Sequence, residues 1–185
     1  MLQTRFDLNP DLTQEHRRVI ASYLAHHGRL RAGEWQMAFE AFDLLGQSYV
    51  TTEERVETFT DVYRRMIEDV YADPFIEQLL AIETDVSTGG DRLKAATARR
   101  IQQDLSQAGF YQRANRGSMY LLAYSYYWWD SFARGYTFEM TIFRDLEAAG
   151  IEFVAHDITK RAERYSPADL IVLGQTGDIK TSTYC

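Results

Sequence analysis

A change of periodicity at Gly150 divides this sequence into two kinds of secondary structure. Before it, apolar residues recur at every third or fourth position. After it, they alternate or run in short β-branched groups. The first spacing covers one face of a helix, and the second covers one face of a strand. The 185-residue chain therefore reads as mainly α. Residues 1–133 form a helical domain, and residues 134–185 form a partial α/β core of one helix and three short strands.

The helical part carries its own punctuation. Asn9-Pro10-Asp11 reads as a turn, and Thr13 caps a helix that ends at His27-Gly28. Residues 32–45 place Trp35, Ala38, Phe39, Phe42 and Leu45 on one stripe, with Gly46 after them. Thr51-Thr52-Glu53-Glu54 has the form of a helix start. A stripe of Val56, Phe59, Val62, Tyr63, Met66, Ile67 and Val70 follows it. Asp73-Pro74 is expected to open a further helix, and residues 86–90, ending in Gly89-Gly90, to form a flexible break. A basic amphipathic helix follows over 92–108, then an aromatic helix from Met119 to about Ala133. A short break is expected at 134–136, and a last helix over 137–149, capped by Gly150.

Composition narrows the function classes. Apolar residues make up 45% and aromatics 14%, enough for a buried core. A formal charge of −7 counts against a general nucleic-acid binder, because phosphate contacts need cations. The objection is modest, because carboxylates can cluster at a metal site and local basic patches can still contact phosphates. The single cysteine, Cys185, makes no intramolecular disulfide, which suits a reducing compartment. The start of the chain is polar, and the most apolar run, residues 119–132, is too short for a membrane span. A soluble, cytoplasmic protein without membrane association is expected.

The chemistry concentrates in the tail. Expected strands cover residues 151–155, 169–173 and 178–182, with Gly174-Gln-Thr-Gly177 as the turn between the last two. Neighbouring antiparallel strands lie about 4.8 Å apart, so Asp169 and Asp178 can share a pocket. Side chains alternate along a strand, so Asp178 and Lys180 share a face while Ile179 turns inward. Two carboxylates suffice to hold Mg²⁺, and a lysine beside them can orient a water or offset charge on a phosphate.

This order of residues resembles the PD-(D/E)xK superfamily, which includes many restriction enzymes and the archaeal Holliday-junction resolvases. The matching residues are Pro167-Ala-Asp169 and Asp178-Ile-Lys180. Upstream, Gly135-Tyr-Thr-Phe-Glu139 is similar to the family's leading helix. The proline stands one residue earlier than in the usual Pro-Asp pair. The resemblance covers residues 134–185 and implies a restriction-endonuclease-like core. It implies Glu139, Asp169 and Asp178 as metal ligands, Lys180 as the catalytic lysine, Mg²⁺ or Mn²⁺ as cofactor and DNA as substrate, in defence or DNA processing. The family core continues past the lysine strand with a helix and another strand. The chain ends five residues after Lys180, so the core is expected to be completed by another chain or a longer product.

Other residues have two readings. Lys160, Arg161 and Arg164 can contact phosphates, or can simply form a solvated loop. The basic stretch from Arg92 to Arg116 reads as a charged helix surface, and Tyr126-Tyr-Trp-Trp129 as core packing rather than a base-stacking platform. His156 reads as structural rather than as a metal ligand. His26-His27 suits a helix C-terminus. Glu139 can equally be a first-turn acid that favours the helix dipole. The alternative to a nuclease is a helical interaction or regulatory protein with an inactive nuclease-like tail. An exposed last strand would then allow a homodimer or a partner protein.

Overall fold

The computed structural model describes residues 7–8, 10–51, 56–109 and 116–180. The protein is mainly helical, with two small antiparallel three-stranded sheets. It divides into two compact units that are discontinuous in sequence: Met1–Val70 with Ala98–Trp129, and Tyr71–Thr97 with Asp130–Cys185.

The first unit begins with strand β1 (Asp7–Leu8) and helix α1 (Gln14–Ala25). Thr13 caps α1 as expected: its hydroxyl accepts the His16 N–H at 3.1 Å, and His16 Nδ1 accepts the Thr13 N–H at 3.3 Å. His27 and Gly28, both at positive φ, end it. Helix α2 (Trp35–Gln47) packs on α1 through Tyr23, whose ring meets Trp35 and Phe42 edge-on at 6.2 and 5.0 Å. The aromatic run is core, as its spacing suggests. Tyr127 stacks on Phe42 at 4.3 Å, and Tyr124 meets Phe59 and Tyr63 edge-on. Among these rings Phe42 and Phe59 are fully buried, each contributing roughly 1.5–3 kcal/mol.

Several local expectations are corrected. Strands β2 (Tyr49–Thr51) and β3 (Val56–Thr58) pair with each other, and β1 pairs with β2, inside a region whose periodicity reads as wholly helical. The next helix, α3 (Phe59–Tyr63), starts from Thr58, whose hydroxyl accepts the Asp61 N–H at 3.2 Å. The expected start signature mostly lies outside the described residues. A π-turn (Arg64–Glu68) joins α3 to α4 (Asp69–Leu80), so Pro74 lies within a helix rather than opening one.

In the second unit, Gly89 and Gly90 do not break the chain but lie inside α5 (Val86–Gln107), whose Thr88 N–H is accepted by the Asp85 carboxylate at 3.1 Å. Gly90 is there for close approach. A Cβ on it would lie 2.4 Å from Thr137 Cγ2 on helix α6 (Arg116–Ala148). Helix α6 also runs unbroken through residues 134–136, because Ala133 and Tyr136 are buried on one stripe with Met140 and Phe143. That packing outweighs the roughly 1 kcal/mol penalty of Gly135 in a helix.

After Gly150, at φ +68°, come β4 (Phe153–Ala155), β5 (Leu170–Val172) and β6 (Gln175–Gly177), in sheet order β4-β5-β6. The helix and three short strands match the expected content, but the hairpin is tighter than its sequence suggests. Val172 pairs with Gln175, leaving Leu173 and Gly174 as a two-residue turn with φ of 50° and 75°. Positive φ at both positions matches the twist of the flanking strands. Gln175–Gly177 is therefore strand rather than turn, and Asp178–Lys180 lies just past the strand end.

Candidate metal centre

The register of the second sheet brings three distant residues into one row. Ala155 pairs with Leu170, and Leu170 with Gly177. One residue further along, the His156 N–H donates to the Asp169 carbonyl at 2.9 Å, and the Asp169 N–H donates to the Gly177 carbonyl at 3.0 Å. His156, Asp169 and Asp178 thus stand side by side at the end of the three strands. Helix α6 supplies the fourth group. Glu139 lies on the stripe between Tyr136 and Phe143, and Phe143 stacks on Phe153 of β4 at 5.5 Å. The buried stripe therefore carries the Glu139 carboxylate to the sheet end.

There the His156 Nε2 lies 3.1 Å from Glu139 Oε2, and its Nδ1 lies 4.0 Å from Asp169 Oδ1. The three side chains are only 12%, 6% and 12% exposed for Glu139, His156 and Asp169. One ligand atom from each lies within 4.8 Å of the others. Asp169 Oδ2 also accepts the Ile179 N–H at 2.6 Å, which ties the Asp178-Ile179-Lys180 segment to the strand end.

Burial, and then the charge of Asp169, hold the Glu139 carboxyl above its ordinary pKa. Burial first, and then its neighbour Asp178, does the same to Asp169. The Asp169 and Asp178 carboxyl groups share a hydrogen bond. Asp178 keeps the charge because the Lys180 ammonium, 2.6 Å from its Oδ2, pulls its pKa down. In return, Lys180 is held above its ordinary pKa by Asp178. It is thus a cation at neutral pH rather than a base. Its side chain is 81% exposed.

All four residues of the expected site, Glu139, Asp169, Asp178 and Lys180, are brought together. His156, read from sequence as structural, lies in their midst. Its only sequence signal is its position straight after a strand that pairs with the Asp169 strand. The donor set suits a divalent cation on one structural ground. His156 Nδ1 is buried and has no hydrogen-bond partner among the described residues, whereas buried polar atoms nearly always have one.

The basic loop behaves otherwise. Lys160 pairs with Glu163 at 3.1 Å and Asp157 at 3.3 Å. The Arg164 guanidinium is 5% exposed, donates to the Ile158 carbonyl at 2.8 Å and pairs with Asp73. Arg161 is exposed on the same loop. Asp157 is engaged within its own loop, its carboxylate accepting the Thr159 N–H at 3.0 Å. Among the described residues, no helix is long and apolar enough to cross a membrane. No protein-family model, no curated protein and no solved structure matches this chain.

Proposed function

We propose that this chain hydrolyses phosphodiester bonds in DNA with a divalent cation, Mg²⁺ or Mn²⁺, held by Glu139, Asp169 and Asp178. The observation that carries this reading is the convergence of a helix glutamate, two strand-end aspartates and the Lys180 ammonium, in the chain order of the PD-(D/E)xK superfamily. Bound there, such a cation polarises a phosphoryl oxygen and lowers the pKa of a coordinated water. The chain's own groups do the rest. Asp169 is fixed by the Ile179 N–H and by the strand ladder. Lys180, permanently charged beside Asp178, offsets charge that develops on the phosphate.

A polyanion also needs cations away from the metal, and Lys160 is engaged within its own loop while Arg164 is engaged with Ile158 and Asp73. The first unit, taken by itself, has a cleft of about 670 Å³ lined by Arg18, His26, His27, Arg29, Arg31 and Glu34. The test is nicking of supercoiled plasmid with Mg²⁺ or Mn²⁺. Asp178→Ala and Lys180→Ala are each expected to lower the rate by about 10²–10³-fold, the scale of losing one transition-state charge contact. Metal-dependent nicking that survives both substitutions would refute the assignment.

One observation favours the alternative, an interaction or regulatory protein with an inactive tail. Val154, Ile171 and Leu173 on the second sheet are 66%, 46% and 84% exposed. Under that reading this face, or the β6 edge, docks a second copy or a partner protein. Concentration-dependent association without any nicking would support it.

A further inference from the structure

We infer that His156 is itself a metal ligand, and that its imidazole makes this centre select a transition cation such as Mn²⁺ over Mg²⁺. The inference rests on the cation site proposed above and adds to it the nature of the cation. Three observations on one ring support it.

The ring is held in place from both sides. Its backbone N–H continues the β4–β5 ladder into the Asp169 carbonyl, and Phe143 packs against the ring edge-on at 6.4 Å. The side chain is 94% buried, from a 6% exposure, and has little freedom to turn away.

The hydrogen bonding also assigns the nitrogens. Nε2 is 3.1 Å from the Glu139 carboxylate, so Nε2 carries the proton and donates. Nδ1 then presents a lone pair, buried and without a donor to satisfy it among the described residues. This is the arrangement in which metal-binding histidines are usually found, one nitrogen oriented by a carboxylate and the other on the ion.

The third observation is the spacing to the facing oxygen. Nδ1 and Asp169 Oδ1 are 4.0 Å apart, too far for a hydrogen bond. Two bonds of about 2.0–2.2 Å to a shared ion span that gap. Glu139 then orients the ring from its Nε2 side rather than sharing the ion, and Asp178 remains available beside Asp169. Mg²⁺ favours all-oxygen surroundings and gives up water reluctantly, whereas a set with one imidazole favours later cations.

The experiment measures cation binding by the whole chain, without substrate. Titration calorimetry gives Mn²⁺ and Mg²⁺ affinities for the wild type, His156→Ala, His156→Gln and Asp169→Asn. Pulsed electron paramagnetic resonance of the Mn²⁺-loaded wild type reads ¹⁴N coupling directly. The wild type is expected to bind Mn²⁺ at least tenfold more tightly than Mg²⁺ and to display a ¹⁴N coupling. The two His156 variants are expected to lose Mn²⁺ affinity by about 10–100-fold, the scale of removing a group that holds or orients a metal, and Mg²⁺ affinity by less than threefold. Their helical content by circular dichroism should match the wild type. If either variant does not fold, the ¹⁴N coupling in the wild type decides. Cation binding that Asp169→Asn abolishes, but with no ¹⁴N coupling and an unchanged Mn²⁺ to Mg²⁺ ratio in the His156 variants, overturns the role of His156 and leaves the proposed function standing. No binding of either cation by the wild type overturns both.

Discussion

Gly90→Ala and Gly135→Ala, two identical substitutions in helices of one unit, are expected to act in opposite directions. A Cβ at Gly90 would sit 2.4 Å from Thr137 Cγ2, 3.1 Å from its Oγ1 and 3.3 Å from its Cβ. Carbon contacts settle at about 3.5–4.0 Å, so the shortfall is roughly 1.1–1.6 Å. Rotating Thr137 relieves it only in part, because the Thr137 Cβ itself stays 3.3 Å away. Helices α5 and α6 must therefore move apart. Overpacking of this kind costs about 1–3 kcal/mol, and a clash this deep belongs at the upper end. Replacing a helical glycine by alanine returns up to about 1 kcal/mol. The net expectation is a loss of about 1–2 kcal/mol, or a Tm about 2–8 °C lower for a chain of this size. Among the described residues, and apart from its own helix backbone, nothing lies within 4 Å of where a Cβ on Gly135 would sit. Gly135→Ala keeps only the helix gain, and its Tm should rise by about 1–4 °C. Thermal melts followed by circular dichroism and by calorimetry measure both. If Gly90→Ala raises Tm as Gly135→Ala does, the close packing of α5 on α6 is refuted.

Glu139→Gln is expected to stabilise the metal-free protein at pH 7.5. Burial raises the folded pKa of Glu139, so its contribution favours folding at low pH and is lost as pH rises through the folded value. The Tm advantage of the variant should therefore shrink as pH falls towards the ordinary glutamate range, and equal melts at all pH values would contradict it. On the proposed cation site, Mn²⁺ should stabilise the wild type by about 2.7 kcal/mol at a hundredfold excess over Kd, and the same variant should lose that stabilisation. Arg164→Ala is expected to cost about 2–3 kcal/mol in chemical denaturation, because it strips a buried charged donor from the Ile158 carbonyl and from Asp73. Lys160→Ala, which removes only exposed ion pairs, should leave the denaturation midpoint nearly unchanged.

Local rules made part of this protein legible in its sequence. Thr13, His27-Gly28 and Gly150 mark helix ends because capping depends on backbone geometry within a few residues. The mainly helical character and the strands after Gly150 follow from periodicity alone. So does the grouping of Asp169, Asp178 and Lys180, which hairpin neighbours impose at short range. Only the tertiary structure decided the rest. Gly89, Gly90 and Gly135 look like breaks in sequence. They lie in helices because packing contributes more than the glycine penalty costs, and at Gly90 because Thr137 leaves no room for a side chain. The hairpin turns at Leu173-Gly174 because β5 and β6 pair in a register that the composition of Gly174-Gln-Thr-Gly177 does not reveal. His156 looks like a lone histidine until the β4–β5 register sets it beside Asp169 and the buried stripe of α6 brings Glu139 to its other nitrogen. A side-chain cluster built across a helix and three strand ends depends on such long-range pairing, which the spacing of residues in sequence does not encode.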